Sequence, residues 1–406
     1  GDETMKIYKT FLTVGLLLVG ASANAASWLL CDSDPEKKIK ISGNSTTAEI
    51  STWNYPANWR SKIKDAIKIV NTNPSPFWIN TVERSNGVGD LNGENEVYYA
   101  DIDFPGVARM WPYCYNWSWE KTFLGIVYDS ASGIEFGLEE VDVILDSTTW
   151  ADHDNNPSTP DVGTPRPWTL SSDKSQVNEY GGSKIMAESV LVHEFGHFLG
   201  LMHVNAEYNI MGDSWDHMIT QNGKTRSYFG EDASKGARQL YGTQNTWYRD
   251  LSVSHFRYTG VSGEYSAHGR TRPAKKNGGK WLGLPIYSGT SDGSVIEPIY
   301  GVDLGDRIRF EYTVENNGKQ TENNVRGGIY ISTNDWISTS DRRISTHTWS
   351  SIAAQGAAYT FTYEITIPND LDQQRVYWVG YIIDDNNRVP EKIGNNNAAY
   401  VPVWIN

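Results

Sequence analysis

The chain is poor in positive charge, cysteine and histidine, and almost without long apolar runs. Its 406 residues carry 35 Lys and Arg against 49 Asp and Glu, a formal net charge of −14. Proteins that hold nucleic acid or anionic membranes concentrate positive charge on one face, so this balance argues against both partners. The local exception is HGRTRPAKKNGGK, His268–Lys280, with five Lys or Arg. It reads as a solvated loop before it reads as an envelope-binding patch or a protease-sensitive site. Beyond the N-terminal region no apolar stretch reaches the ~20 residues needed to span a bilayer, so stable membrane insertion is not expected. Two cysteines exclude a fold held by many disulfides.

What is present begins with MKIYKTFLTVGLLLVGASANAAS, which runs from lysines through an apolar segment, Phe11–Gly20, to Ala23-Asn24-Ala25. That order is a secretory signal peptide, and cleavage is expected after Ala25. The apolar run is too short to favour a retained anchor. The protein is therefore expected to be secreted, with association to a cell surface left open. In an oxidising compartment Cys31 and Cys114 are expected to form one disulfide that pins the mature N-terminus. The alternative, Cys31 as a latency cap on a metal, would leave Cys114 unpaired.

The chain divides into a leader, 1–25, a first domain, 26–243, and a second, 249–406. In the first, Trp59, Ile63, Ile67 and Val70 recur every three or four residues and predict a helix over Ala57–Asn71. Leu124–Asp129 and Val141–Asp146 read as two strands separated by the turn-prone Ser130-Ala131-Ser132-Gly133. Ser147–Gly182 is a long polar loop, in which Asp152, Asp154 and Asn156 alternate as candidate Ca²⁺ ligands. Asp90, Asn92 and Glu94 form a similar cluster, and both can equally be Asx-rich turns. After Gly242 aromatic and β-branched residues alternate between Asn-, Gly- and Asp-rich turns, as in RIRFEYTVE, Arg307–Glu315. This predicts an all-β sandwich.

The most informative stretch is HEFGHFLGLMH, His193–His203. The segment from Ser183 to Gly200 predicts a helix with Gly200 as its stop. On it His193 and His197 stand one turn apart on one face, and both imidazoles reach one ion. Gly200 lets the chain turn so that His203 supplies a third nitrogen. Three neutral histidines suit one Zn²⁺ and leave a coordination position open, which favours chemistry over a structural site. Glu194 is then placed to activate a zinc-bound water for attack on a carbonyl and to return the proton to the departing amine.

Downstream, Asn209-Ile210-Met211-Gly212 sets a methionine eight residues after His203. HExxHxxGxxH followed by such a methionine resembles the metzincin zinc proteases. The resemblance implies that Met211 is an apolar floor under the metal. EEVDVILD, MAESVLVHEFGHFLGL and FGEDASKGARQLYG resemble the matrixin branch: the strand before the substrate cleft, the active-site helix and the closing helix. Asp213 stands where astacins and serralysins have tyrosine, so no tyrosine ligand is implied. The resemblance also implies that Gly212–Gln221 walls the pocket for the residue after the cut, with Trp215 and His217 either lining it or packing.

In the second domain DLSVSHF, VDLGDRIRFEYTVENNGKQTENN, GGIYIST and DDNNRVPEKIGNNN resemble the cell-adhesion-related domain CARDB, an immunoglobulin-like sandwich. An insertion is expected at about 260–298. The expected architecture is thus an α+β metzincin-like catalytic domain with a mixed sheet and an active-site helix, followed by an all-β immunoglobulin-like sandwich. The expected function is a zinc-dependent endopeptidase that binds extracellular polypeptide in extended form. A cell-surface or extracellular-matrix target is expected through the second domain. The competing classes are an adhesin with a non-catalytic zinc site and a cell-wall amide hydrolase.

Overall fold

The computed structural model describes residues 4–11, 31, 38, 40–41, 47–84, 89, 91–100, 102, 106–123, 126–146, 167–204, 209–212, 218–244, 249–254, 256–262, 265–270, 274–275, 299–354 and 357–406. Alternating burial in TAEIS makes β1, Thr47–Ser51, a strand with one face inward. It pairs in parallel with β2, Trp78–Val82. The connection is α1, Ala57–Val70, whose buried residues Ile63, Ala66, Ile67 and Val70 form the predicted face. β3, Val97–Ala100, runs parallel to β4, Ile126–Asp146, and β5, Gly106–Phe123, pairs antiparallel with β4. A bridge from Ser51 to Glu96 links β1 to the segment entering β3. The sheet is therefore mixed, with β5 on its far side.

Two local expectations are corrected. Leu124–Asp129 and Val141–Asp146 are not two strands, because Ser130–Gly133 lies inside the single strand β4, opposite Glu120 to Trp117 of β5. Cross-strand pairing along the whole length overrides the turn preference of four small residues. The helix predicted over Ser183–Gly200 is α2, Ala187–Phe198, and it starts four residues later than Ser183. Ile185–Met186 is instead a short strand, parallel to Trp168–Thr169, and Ile185 N–H donates to Pro167 O at 3.0 Å. Among the described residues of the expected leader, Thr4–Phe11 forms an edge strand antiparallel to Tyr115–Thr122 of β5. Cys31 and Cys114 are both buried and joined by a disulfide.

From residue 249 onward the described residues form strands only. One sheet contains Leu251–Ser254, Arg307–Asn316 and Ala357–Thr366; the other contains Tyr300–Val302, Ala398–Ile405, Arg375–Ile383, Glu322–Ser332 and Arg342–Ile352. They pack face to face, with Tyr312 against Tyr381 at 5.8 Å between ring centroids and Tyr312 Oη donating to Val379 O at 2.7 Å. A hairpin of Phe256–Ser262 and Tyr265–Arg270 leads into the expected insertion at about 260–298, in which Ala274–Lys275 pairs with Arg309–Ile308; 276–298 lies outside the described residues.

The sandwich grips the first region through a hairpin, Met218–Gln221 and Lys224–Ser227. Asp335 accepts from Gly223 N at 2.8 Å and pairs with Lys174 at 3.3 Å. Thr220 and Tyr400 share a hydroxyl bond of 2.7 Å, and Tyr228 Oη donates to Ser252 at 2.9 Å. At the same junction burial pushes the Asp250 carboxyl up to about 7 from 3.8, partly offset by donors from Asn396 and Asn317.

Two outcomes follow for urea denaturation of the full chain. Asp335→Ala strips acceptors from Gly223 N–H and Lys174 and should lower the unfolding free energy by about 1–3 kcal/mol; an unchanged midpoint would show that these bonds hold nothing. Asp250 keeps a proton when folded that it loses near pH 4 when unfolded. Its contribution is full below that pH and is lost as pH rises towards about 7. The midpoint should fall across this window, and Asp250→Asn should flatten the slope.

Candidate metal centre

α2 reads as a helix apolar on nearly every side, and every residue of it except Glu188 is buried. It ends at Phe198, and Gly200 follows with φ 91°, a left-handed conformation open to glycine without strain. That reversal carries the chain back, so His203 meets the two helical histidines. His193 Nε2 lies 2.9 Å from His203 Nε2 and 3.2 Å from His197 Nε2. Among the described residues this is the one group of three or more His, Cys, Asp or Glu with donor atoms within 4.8 Å of one another.

The second ring nitrogens fix the tautomers. His193 Nδ1 donates to Ile210 O at 2.5 Å and His197 Nδ1 to Leu201 O at 2.7 Å. The Nε2 atoms of these two are then bare lone pairs, turned towards each other and His203. Burial, then the neighbouring histidines, push His193 well below its ordinary value and His197 down to about 3, so neither relieves the crowding by taking a proton. Converging nitrogen lone pairs suit a cation, and a tetrahedral zinc with Zn–N near 2.0–2.1 Å would set them roughly 3.3 Å apart. The residues present fit zinc.

Glu194 is buried beside this triad and accepts from Ala108 N–H of β5. Burial pushes its carboxyl up to about 8. It crowds the same strand, since a Cβ on Gly106 would stand 3.2 Å from Glu194 Cγ. EEVDVILD is therefore in β4, one strand in from the edge, and the strand that meets Glu194 is β5. Nothing local in GVAR marks Gly106 and Ala108 as site residues.

Met211 is fully buried under the helix, and a Cβ on Gly196 would fall 2.2 Å from its sulfur. Its turn is held by Asn209, whose Oδ1 accepts from Met211 N at 2.9 Å, and by Val204 N–H to Met211 O at 2.9 Å. Asn209 in turn donates to Asp232 of α3, Gly230–Tyr241. Tyr241 of that helix donates to Leu199 O at 2.8 Å, just past α2. Glu188, on the first turn of α2, accepts from Ser227 N at 2.9 Å. Periodicity gave no sign of Gly196, Asp232 or Glu188 in these roles.

The calcium candidates fare differently. Asp152, Asp154 and Asn156 lie outside the described residues, as do Asp90, Asp213, Trp215 and His217. Asn92 and Glu94 belong to a hydrogen-bonded turn: Asn92 Oδ1 accepts from Glu94 N at 2.9 Å. Glu140 of β4 accepts from Leu91 N and Gly93 N, each at 2.6 Å, and ties that turn to the sheet.

Comparison with known proteins agrees with this arrangement. Residues 141–242 match the matrixin peptidase family, which points to a zinc-dependent peptidase, and residues 296–401 match CARDB, a cell-surface domain type. The matrixin match contains His193, Glu194, His197, His203 and Met211. No curated protein matches the chain. Solved structures similar to part of it include the CARDB domain of a Pyrococcus furiosus protein, at 16% identity over 39% of this chain and 97% of that one, TM-score 0.24. A second, from a putative cell surface protein of Methanosarcina acetivorans, has 16% identity over 24% of this chain and 75% of that one, TM-score 0.19. Scores this low add nothing to the fold or the site.

The Gly196–Met211 contact is directly testable. Gly196→Ala puts a methyl where the Met211 sulfur sits and must move the methionine turn or the helix. The variant should bind zinc at least about tenfold more weakly, a loss of about 1.4 kcal/mol in a competitive chelator titration. Unchanged affinity would show that Met211 does not support the triad.

Proposed function

We propose that the chain is a secreted zinc-dependent endopeptidase that hydrolyses peptide bonds of extracellular proteins. The observation that carries this reading is the placing of Glu194 between three converging imidazoles and the strand β5. Gly106–Cys114 of β5 pairs with β4 on one side and, among the described residues, with no strand on the other. An extended substrate adds antiparallel to this open stretch, as peptides add to sheet edges elsewhere.

A zinc ion held by His193, His197 and His203 would supply a Lewis acid for the scissile carbonyl and a positive charge that lowers the pKa of the attacking water and of Glu194 alike. Glu194 takes the proton from that water as its oxygen bonds to the carbonyl carbon. The C–N bond then breaks, and Glu194 hands the proton to the departing amine. Ala108 N–H orients the Glu194 carboxylate, and the carbonyls of Ile210 and Leu201 keep the imidazoles turned inward.

Export through the leader with cleavage after Ala25, and attachment to a cell-surface or matrix target through the C-terminal sandwich, complete the reading. No helix among the described residues is long and apolar enough to cross a membrane. The division into a catalytic part up to about residue 243 and a sandwich from 249 belongs to the same proposal.

The deciding comparison is purified protein beside Glu194→Ala, assayed for zinc content and for cleavage of fluorogenic gelatin, with and without a zinc chelator. Both should carry one zinc, and the variant should lose at least about 10²-fold in rate, the usual worth of a general base. Zinc without turnover on gelatin, casein or a peptide library sinks the protease reading and favours the adhesin. Cleavage of cell-wall fragments alone favours the amide hydrolase.

A further inference from the structure

A cavity of about 720 Å³ opens where α1, the hairpin ending at Ser227 and the sandwich meet. None of the zinc-site histidines lines it. Lys62 comes from α1, Lys224 and Arg226 from the hairpin, and Trp336 and Asn396 from the sandwich. In a chain of net charge −14, three cations on one wall need a reason. None of the three makes an ion pair among the described residues. Two carboxylates share the wall: Asp65 pairs with Lys68 at 2.9 Å, and Glu188 accepts from Ser227 N at 2.9 Å and feels the charges of Lys62 and Arg226. Cations still outnumber carboxylates on the wall, Lys62, Lys224 and Arg226 against Asp65 and Glu188.

Two further groups narrow the ligand. Trp336 is 49% exposed at the cleft, a flat apolar face offered to solvent. Asn396 is 1% exposed; its Nδ2 donates to Asp250 at 3.1 Å, while its Oδ1 is buried with no hydrogen-bond partner. A buried acceptor left unsatisfied is costly, so a ligand that brings a donor hydroxyl gains by filling it. An extended peptide is disfavoured, because the cleft-side strand Lys224–Ser227 already pairs with its neighbour: Thr225 N–H donates to Ser172 O at 2.7 Å, and Asp173 bridges Lys224. A long nucleic-acid strand would meet the acidic remainder of the surface.

We infer that this cleft binds an anionic saccharide. A pyranose ring lies on the Trp336 indole, a hydroxyl donates to Asn396 Oδ1, and carboxylate or sulfate groups pair with Lys62, Lys224 and Arg226. Charged partners and one aromatic platform supply attraction, and the amide supplies orientation. The site is separate from the metal centre and does not depend on peptidase activity.

Calorimetric titration of the full-length protein with a hexasaccharide of alternating uronate and sulfated hexosamine tests this. The same titration is made with an uncharged N-acetylhexosamine hexamer, an oligoglutamate peptide and an oligothymidylate. The sulfated hexasaccharide should bind and the other three should not, and added salt should weaken binding. Trp336→Ala and the double change Lys62→Gln with Arg226→Gln should each weaken it about tenfold. Zinc content and melting temperature should match the parent. Trp336→Tyr, which keeps an aromatic face, should retain most affinity and guards against a folding defect. No binding at millimolar ligand, equal binding of any control, or variants that bind like the parent would overturn the inference.

Discussion

The arrangement depends on three imidazole nitrogens being held within reach of one another, with those of His193 and His197 as bare lone pairs. Nothing in an apolar interior favours that, so the surroundings must impose it. Two backbone carbonyls do so by taking the Nδ1 protons of His193 and His197, which leaves each Nε2 able only to accept. One carbonyl belongs to Ile210, in the methionine turn, and the other to Leu201, in the reversal after Gly200. Ligand geometry is thus written into the loops behind the helix as much as into the helix itself.

The same loops are braced from further away. Asn209 is held by Asp232, and Leu199 by Tyr241, so α3 stands behind both the methionine turn and the end of α2. Glu188 holds Ser227 of the hairpin, whose tip is taken by Asp335 of the sandwich. A continuous run of hydrogen bonds therefore leads from α2 into the second β region. The two sequence regions are distinct in composition but share their polar bonding at the junction.

The helical parts were legible because their signals are local. The periodicity at Trp59, Ile63, Ile67 and Val70 and the spacing of His193, His197 and His203 need no knowledge of distant residues. The start of α2 was not legible, since Ile185 and Met186 are claimed by Trp168 and Thr169, a short strand inside the stretch that reads as a long polar loop. Ser130–Gly133 failed similarly: four turn-prone residues became strand because β5 lies beside them. Gly106 and Ala108, which meet Glu194, carry no chemistry of their own, only backbone and an absence of bulk. The cleft assembled from Lys62, Lys224, Arg226 and Trp336 was invisible because its members are far apart in the chain.

The buried bond between Cys31 and Cys114 spans 83 residues and fastens the start of the first region to its long edge strand. Such a link narrows the unfolded ensemble more than it strengthens the folded one, and it closes only where thiols can be oxidised. Surroundings thereby become an ingredient of the fold. Kept among reduced thiols, the same chain folds with a smaller margin, so the redox state around it, and not the amino-acid order alone, decides how far the folded form is favoured.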